Sequence, residues 1–222
     1  MKKLAVQAVI KYLAGLFMVM LMLFLPAGTF AYWNGWLFIG LLFVPMFFLG
    51  LILLLKKPEL LEKRLQSKEK ETEQKKVVGS SLLMFLAGFV GSALDYRFGL
   101  TEVPTGVVLG ASATLLVGYG LYAEVMRENA YLSRTVEVQE SQKVIDTGLY
   151  GIVRHPMYFA TVLLFCAIPL VLGSWIGFII FLIYPFLLAR RIRNEEEVLE
   201  AGLEGYTEYK QKVKYKMLPW IW

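Results

Sequence analysis

The sequence predicts an all-α polytopic membrane bundle of about six spans that closes with a helical hairpin and keeps both termini in the cytoplasm. Three observations predict it. Of 222 residues, 57% are hydrophobic and 18% charged, outside the range of an ordinary soluble domain. The charges fall in blocks and leave long stretches with none, the pattern of a chain solvated by lipid. Lys and Arg also crowd onto alternate connections, as the positive-inside rule requires.

The elements follow in order. Lys2 and Lys3, an apolar stretch and then Ala27-Gly28 resemble a secretory signal, but the segment reads as an uncleaved first span, Tyr12 to Phe30. Trp33 to Leu55 makes the second. The loop 56–76 carries eight basic and five acidic residues, and its Leu60, Leu61 and Leu65 suggest a short helix on the membrane surface. Val77 to Leu94 is a third span, and Gly106 to Val125, rich in small residues that allow close packing, is a fourth. From Met157 to Ala189 run 33 residues without a charge. As one helix they would reach about 50 Å, some 20 Å beyond the hydrocarbon core, so the run divides at Gly173-Ser174 into spans Met157 to Leu172 and Trp175 to Ala189. With six spans, 22 of the 23 Lys and Arg residues share one side and Arg97 alone takes the other. The crowded side is cytoplasmic. Two parts result: 1–125, with four spans and the loop 56–76, and 126–222, with a loop, the hairpin 157–189 and a tail.

Composition also narrows function. Basic residues interleaved with acids beside apolar runs fit a membrane surface with its lipids and argue against nucleic acid. Cys166 lies in an apolar run and reads as packing. One His and one Cys leave no soft-ligand set, so no metal site is expected. No ionisable group lies deep in a span, which disfavours an ion or proton pathway. Chemistry therefore concentrates in the loop 126–155 and the tail 190–222.

The loop ends Gly148-Leu149-Tyr150-Gly151-Ile152-Val153-Arg154-His155-Pro156-Met157-Tyr158. Pro156 suits a first helical turn, which sets His155, the only histidine, beside free backbone N–H groups able to hold a carboxylate. Taken alone, His155 is equally an interface residue and Arg154 a snorkelling anchor. The tail begins Arg190-Arg191-Ile192-Arg193-Asn194-Glu195-Glu196-Glu197, and four-residue spacing puts Arg191 and Glu195 on one face if the last helix continues. Spacing alone also fits basic residues ending a span, followed by a solvated acidic turn.

The ordered set Gly148-x-Tyr150, Arg154-His155-Pro156-x-Tyr158, a hairpin, Arg191, Glu195-Glu196-x-x-Leu199, Tyr206-x-x-Tyr209 and Leu218-Pro219 resembles the isoprenylcysteine carboxyl methyltransferase family and the wider group that includes phospholipid methyltransferases. The likeness runs roughly from Glu124 to the C-terminus. It implies an S-adenosylmethionine-dependent methyltransferase acting on a lipophilic or lipid-modified acceptor, most simply a carboxylate, with the site facing the cytoplasm. By the same resemblance Gln142, Lys143, Val144, Ile145, Tyr150, His155, Pro156, Met157, Tyr158, Glu195 and Glu196 bind the cofactor, Arg191 holds the substrate, and Arg191 and His155 serve catalysis. Other readings stay open: a phospholipid or amine N-methyltransferase, an NADPH-dependent sterol-type reductase and a non-enzymatic membrane scaffold. Against the reductase, those enzymes carry Asn shortly before the Tyr, where this chain has Met157.

Overall fold

A computed structural model describes residues 2–65, 72–132, 136 and 138–222. It is helical throughout, with no strand among the described residues. The helices are α1 (Lys2–Ala27), α2 (Trp33–Lys56), α3 (Pro58–Leu65), α4 (Thr72–Phe98), α5 (Thr105–Glu128), α6 (Pro156–Val171), α7 (Trp175–Phe181), α8 (Tyr184–Gly202) and α9 (Tyr206–Lys212). A 3-10 turn at Gly148–Gly151 precedes α6.

Among the described residues, five helical stretches are long and apolar enough to cross a membrane: Lys2–Ala27, Trp33–Lys56, Gln74–Phe98, Thr105–Glu128 and Trp175–Gly202. The sixth expected span falls on α6, whose 16 apolar residues rise only about 24 Å. The helices overrun their apolar cores: α1 starts ten residues before the expected Tyr12 and α4 five before Val77. A flanking Lys carries its charge on an apolar stem and need not end a helix, and Gln74 is buried where it donates to Arg191 O and Asn194 Oδ1 of α8. Within the basic loop the expected surface helix is α3, which buries Leu60 and Leu61 against Val125, Met126 and Tyr150. The rest of that loop, 66–71, lies outside the described residues.

The hairpin divides where the sequence predicts, with Gly173 at φ +76° between α6 and α7. A buried carboxylate fixes this turn. Asp95 Oδ2 accepts from Ser174 Oγ at 2.5 Å, and Asp95 also accepts from the amide of Thr101 at 2.7 Å and its hydroxyl at 2.5 Å. Ser174 Oγ in turn accepts from Gly177 N, capping α7. From α2 and its N-cap, Asn34 and Tyr32 donate to the carbonyls of Val171 and Leu172.

The second arm forms the expected span within the stretch Trp175–Gly202, with an interruption that was not expected: the helix breaks at Leu182–Ile183, because Pro185 has no N–H to return to Phe181 O. The helix restarts as α8 and runs unbroken through Arg191 and Glu195 to Gly202. Close packing holds both arms: a Cβ on Gly118 of α5 would lie 2.9 Å from Leu164 of α6, and one on Gly88 of α4 would lie 2.2 Å from the Phe181 ring of α7.

Candidate active site

The ends of α6 and α8 away from the Gly173 turn meet beneath residues 129–132, 136 and 138–145, α9 and the tail. His155 is the N-cap of α6, and its amide donates to Lys216 O at 2.7 Å. Its Nε2 lies 3.3 Å from Glu196 Oε1 and its Nδ1 3.9 Å from Glu195 Oε1. The ring stacks on Tyr158 at 5.6 Å between centroids. Tyr158 donates its hydroxyl to Glu195 Oε2 and accepts from Arg191 Nε at 2.8 Å. Arg191, Tyr158, Glu195 and His155 thus form one contiguous chain across the two helices. The four-residue spacing of Arg191 and Glu195 works because α8 continues unbroken.

Arg154 is not the membrane anchor that its position beside a span suggests. It is buried, with Nε donating to Glu196 Oε1 at 2.7 Å and Nη1 to the carbonyls of Val213 and Lys214 at 2.6 and 2.9 Å, so it straps the tail to the helices. Lys216 completes the cluster at 2.9 Å from Glu196 Oε2. Glu196 lies past the apolar part of α8. Burial pushes its pKa up, but hydrogen bonds from His155, Arg154 and Lys216 outweigh this and hold it well below the usual carboxylate range.

The 3-10 turn supplies the wall on the other side. Gly148 has φ +54°, and a Cβ there would lie 1.5 Å from Glu128 Oε1. The same carboxylate accepts from the amide of Leu149 at 3.1 Å, so only glycine lets α5's last turn hold this segment. Tyr150 accepts from Asn129 Nδ2 through its hydroxyl and from the Tyr209 hydroxyl through its carbonyl. Burial pushes the Tyr150 and Tyr209 phenols up, so both remain neutral.

These groups surround a partly open cavity of about 110 Å³. Of the residues anticipated from the sequence, Gln142, Lys143, Val144, Ile145, Tyr150, His155, Met157, Tyr158, Arg191 and Glu195 line it. Pro156 and Glu196 do not. Pro156 begins α6, and Glu196 turns away toward Arg154 and Lys216. The lining also includes Asn129, Tyr131, Leu132, Val136, Leu199, Leu203, Tyr206 and Tyr209. Leu199 and Leu203 continue the Arg191-Glu195 spacing and were readable from it. The loop residues carried no local signal.

Residues 105–204 match the family described as phospholipid methyltransferase. The protein is a membrane methyltransferase. The match spans 100 of 222 residues and covers α5 through α8 with the loop between, the segment that holds Arg191, Tyr158, Glu195 and His155 together. Helices α1 to α4, α9 and the tail of the methyltransferase lie outside it. No curated protein matches the chain.

Proposed function

We propose that the methyltransferase carries the methyl group of S-adenosylmethionine to a carboxylate on a lipophilic acceptor of the isoprenylcysteine type, at a site on the cytoplasmic face. The observation that carries this reading is the Arg191 guanidinium, held by Tyr158 in the same cavity as His155 and Glu195.

The lining suits the cofactor. An apolar wall of Val144, Leu199 and Leu203 offers a place for a nucleoside base, and Glu195 supplies an anion for a cationic or hydroxyl-bearing group. The cavity of about 110 Å³ is smaller than the roughly 300–1,000 Å³ of small-molecule sites, so the cofactor would extend out through the open mouth. Bound there, S-adenosylmethionine supplies an activated methyl on a sulfonium. The protein's own share is placement and exclusion of water. An acceptor carboxylate is ionised at neutral pH and needs no base, only the planar fork of an arginine to hold it in line. Crowding of Lys and Arg on the site's side of the bundle supports the cytoplasmic orientation.

A second reading, methylation of a phospholipid amine, is favoured by the description of the matched family. It requires a proton acceptor, and the His155–Glu195 pair stands where one is needed. Membranes containing the protein, incubated with methyl-labelled cofactor, separate the two. Esters release label as methanol in base, and methylated amines retain it. Titration with S-adenosylhomocysteine and with NADPH tests the cofactor, and binding of NADPH alone would refute this proposal.

A further inference from the structure

We propose that Tyr206 is a further ligand-binding residue of this site, its hydroxyl donating to a ribose hydroxyl of the nucleoside ligand. The inference rests on the cofactor reading above and adds a residue to it. Tyr206 opens α9, lines the cavity and is only 4% exposed. Its hydroxyl is buried with no hydrogen-bond partner among the described residues. The three other buried tyrosines around the cavity are all engaged: Tyr150 with Asn129, Tyr158 with Glu195 and Arg191, and Tyr209 with the Tyr150 carbonyl. A buried hydroxyl without a partner is unfavourable, and phenylalanine would fill the same space without that cost. The exception therefore calls for a partner that arrives with the ligand.

The surroundings indicate which group that is. Tyr206 packs with Val144, Leu199 and Leu203 on the apolar side, while the carboxylates of Glu195 and Glu196 add to burial in pushing its phenol up. The phenol therefore stays a neutral donor at the border between an apolar wall and an acceptor. A ribose, joined to a flat base, matches that border. One ribose hydroxyl can accept from Tyr206 and donate to Glu195 Oε1, the oxygen not taken by Tyr158. Donors and acceptors then balance.

The test measures binding of S-adenosylhomocysteine and of its 2′,3′-dideoxy analogue to the full-length protein in detergent, wild type against Tyr206→Phe, together with melting of the ligand-free protein. We expect Tyr206→Phe to weaken S-adenosylhomocysteine by about three- to tenfold, the worth of one hydrogen bond, and the dideoxy analogue by less than about twofold. Ligand-free melting should be unchanged or raised. Equal affinity of both proteins for S-adenosylhomocysteine overturns the proposal. So does an equal loss for both ligands, or a fall in ligand-free melting, since either assigns the hydroxyl to packing. A wild type that binds no S-adenosylhomocysteine refutes the cofactor reading itself.

Discussion

Replacing Arg154 by alanine tests whether the roof of the site is fastened by one buried cation. Arg154 donates to Glu196 Oε1 and to the carbonyls of Val213 and Lys214, all between 2.6 and 2.9 Å. Both members of the ion pair have side chains only 4% exposed. Removing one partner of a buried pair costs about 3–5 kcal/mol. Here the lower figure applies, because His155 and Lys216 remain on Glu196 while two carbonyls lose their donor. About 3 kcal/mol corresponds to roughly a 150-fold rise in the open population of the tail. Trypsin cleavage after Lys216, whose carbonyl is held by the His155 amide, reads that population when opening is fast relative to cleavage. The variant should be cut at Lys216 on the order of a hundredfold faster, with cleavage in the loop 56–65 unchanged. The double variant Arg154→Met with Glu196→Leu should recover much of the protection, since apolar replacement of a buried pair is often neutral. A rate increase below about fivefold, near 1 kcal/mol, would show that the tail is held elsewhere and refute the reasoning.

Gly148→Ala combines a left-handed backbone, costing about 1–2 kcal/mol, with a side chain driven into Glu128, and should lower both melting temperature and ligand affinity. Glu128→Ala in the same chain should restore part of the loss, as a thermal-shift series would show. The depressed pKa of Glu196 gives a pH signature. Its folded value is below its unfolded one, so its contribution is complete above the ordinary carboxylate pKa of about 4.5 and fades as pH falls toward the folded value. Melting curves from about pH 6 down to about pH 3 should therefore slope downward less in Glu196→Gln than in the wild type. Asp95→Ala strips the partners from Thr101 and Ser174 at the closed end of the hairpin and should destabilise by about 2–4 kcal/mol, measured by denaturant melting in detergent.

Most of the helices were legible because lipid imposes long apolar runs and the hydrocarbon core limits their length. The division at Gly173-Ser174 followed from that limit alone. Pro185 was visible, yet the break it makes was not anticipated, because apolarity does not register a missing amide in a run without charge. Asp95 looked like the end of a span and became a buried acceptor, because its donors come from Thr101 and from Ser174, which is 79 residues away. In the site, helical spacing exposed Arg191 and Glu195. The lining by Asn129, Tyr131, Leu132 and Val136 was hidden, and Tyr206 and Tyr209 stood in the ordered motif without being placed at the site, since nothing local marks which loop folds over which helix. Arg154 was misjudged for the same reason: its partners are 42 to 60 residues away.

The adjacent pair Glu195-Glu196 shows how a fold can separate two identical side chains. Successive residues on a helix point about 100° apart, so one carboxylate of α8 faces the cavity and the other faces the tail. Glu196 meets Arg154, His155 and Lys216, is buried, and is a structural anion. Glu195, with a side chain 24% exposed, receives among the described residues only the Tyr158 hydroxyl and lies 3.9 Å from His155 Nδ1, so Oε1 keeps acceptor capacity in a residue that lines the cavity. The two should fail differently. Glu196→Gln should loosen the tail, speeding its proteolysis, with ligand affinity falling only as far as the roof opens. Glu195→Gln should leave the tail protected and weaken S-adenosylhomocysteine directly, by about tenfold if a charge-assisted hydrogen bond near 1.4 kcal/mol is lost. If both substitutions loosened the tail equally, the division of labour between them would be wrong, and the cavity would owe its shape to the acidic run as a whole.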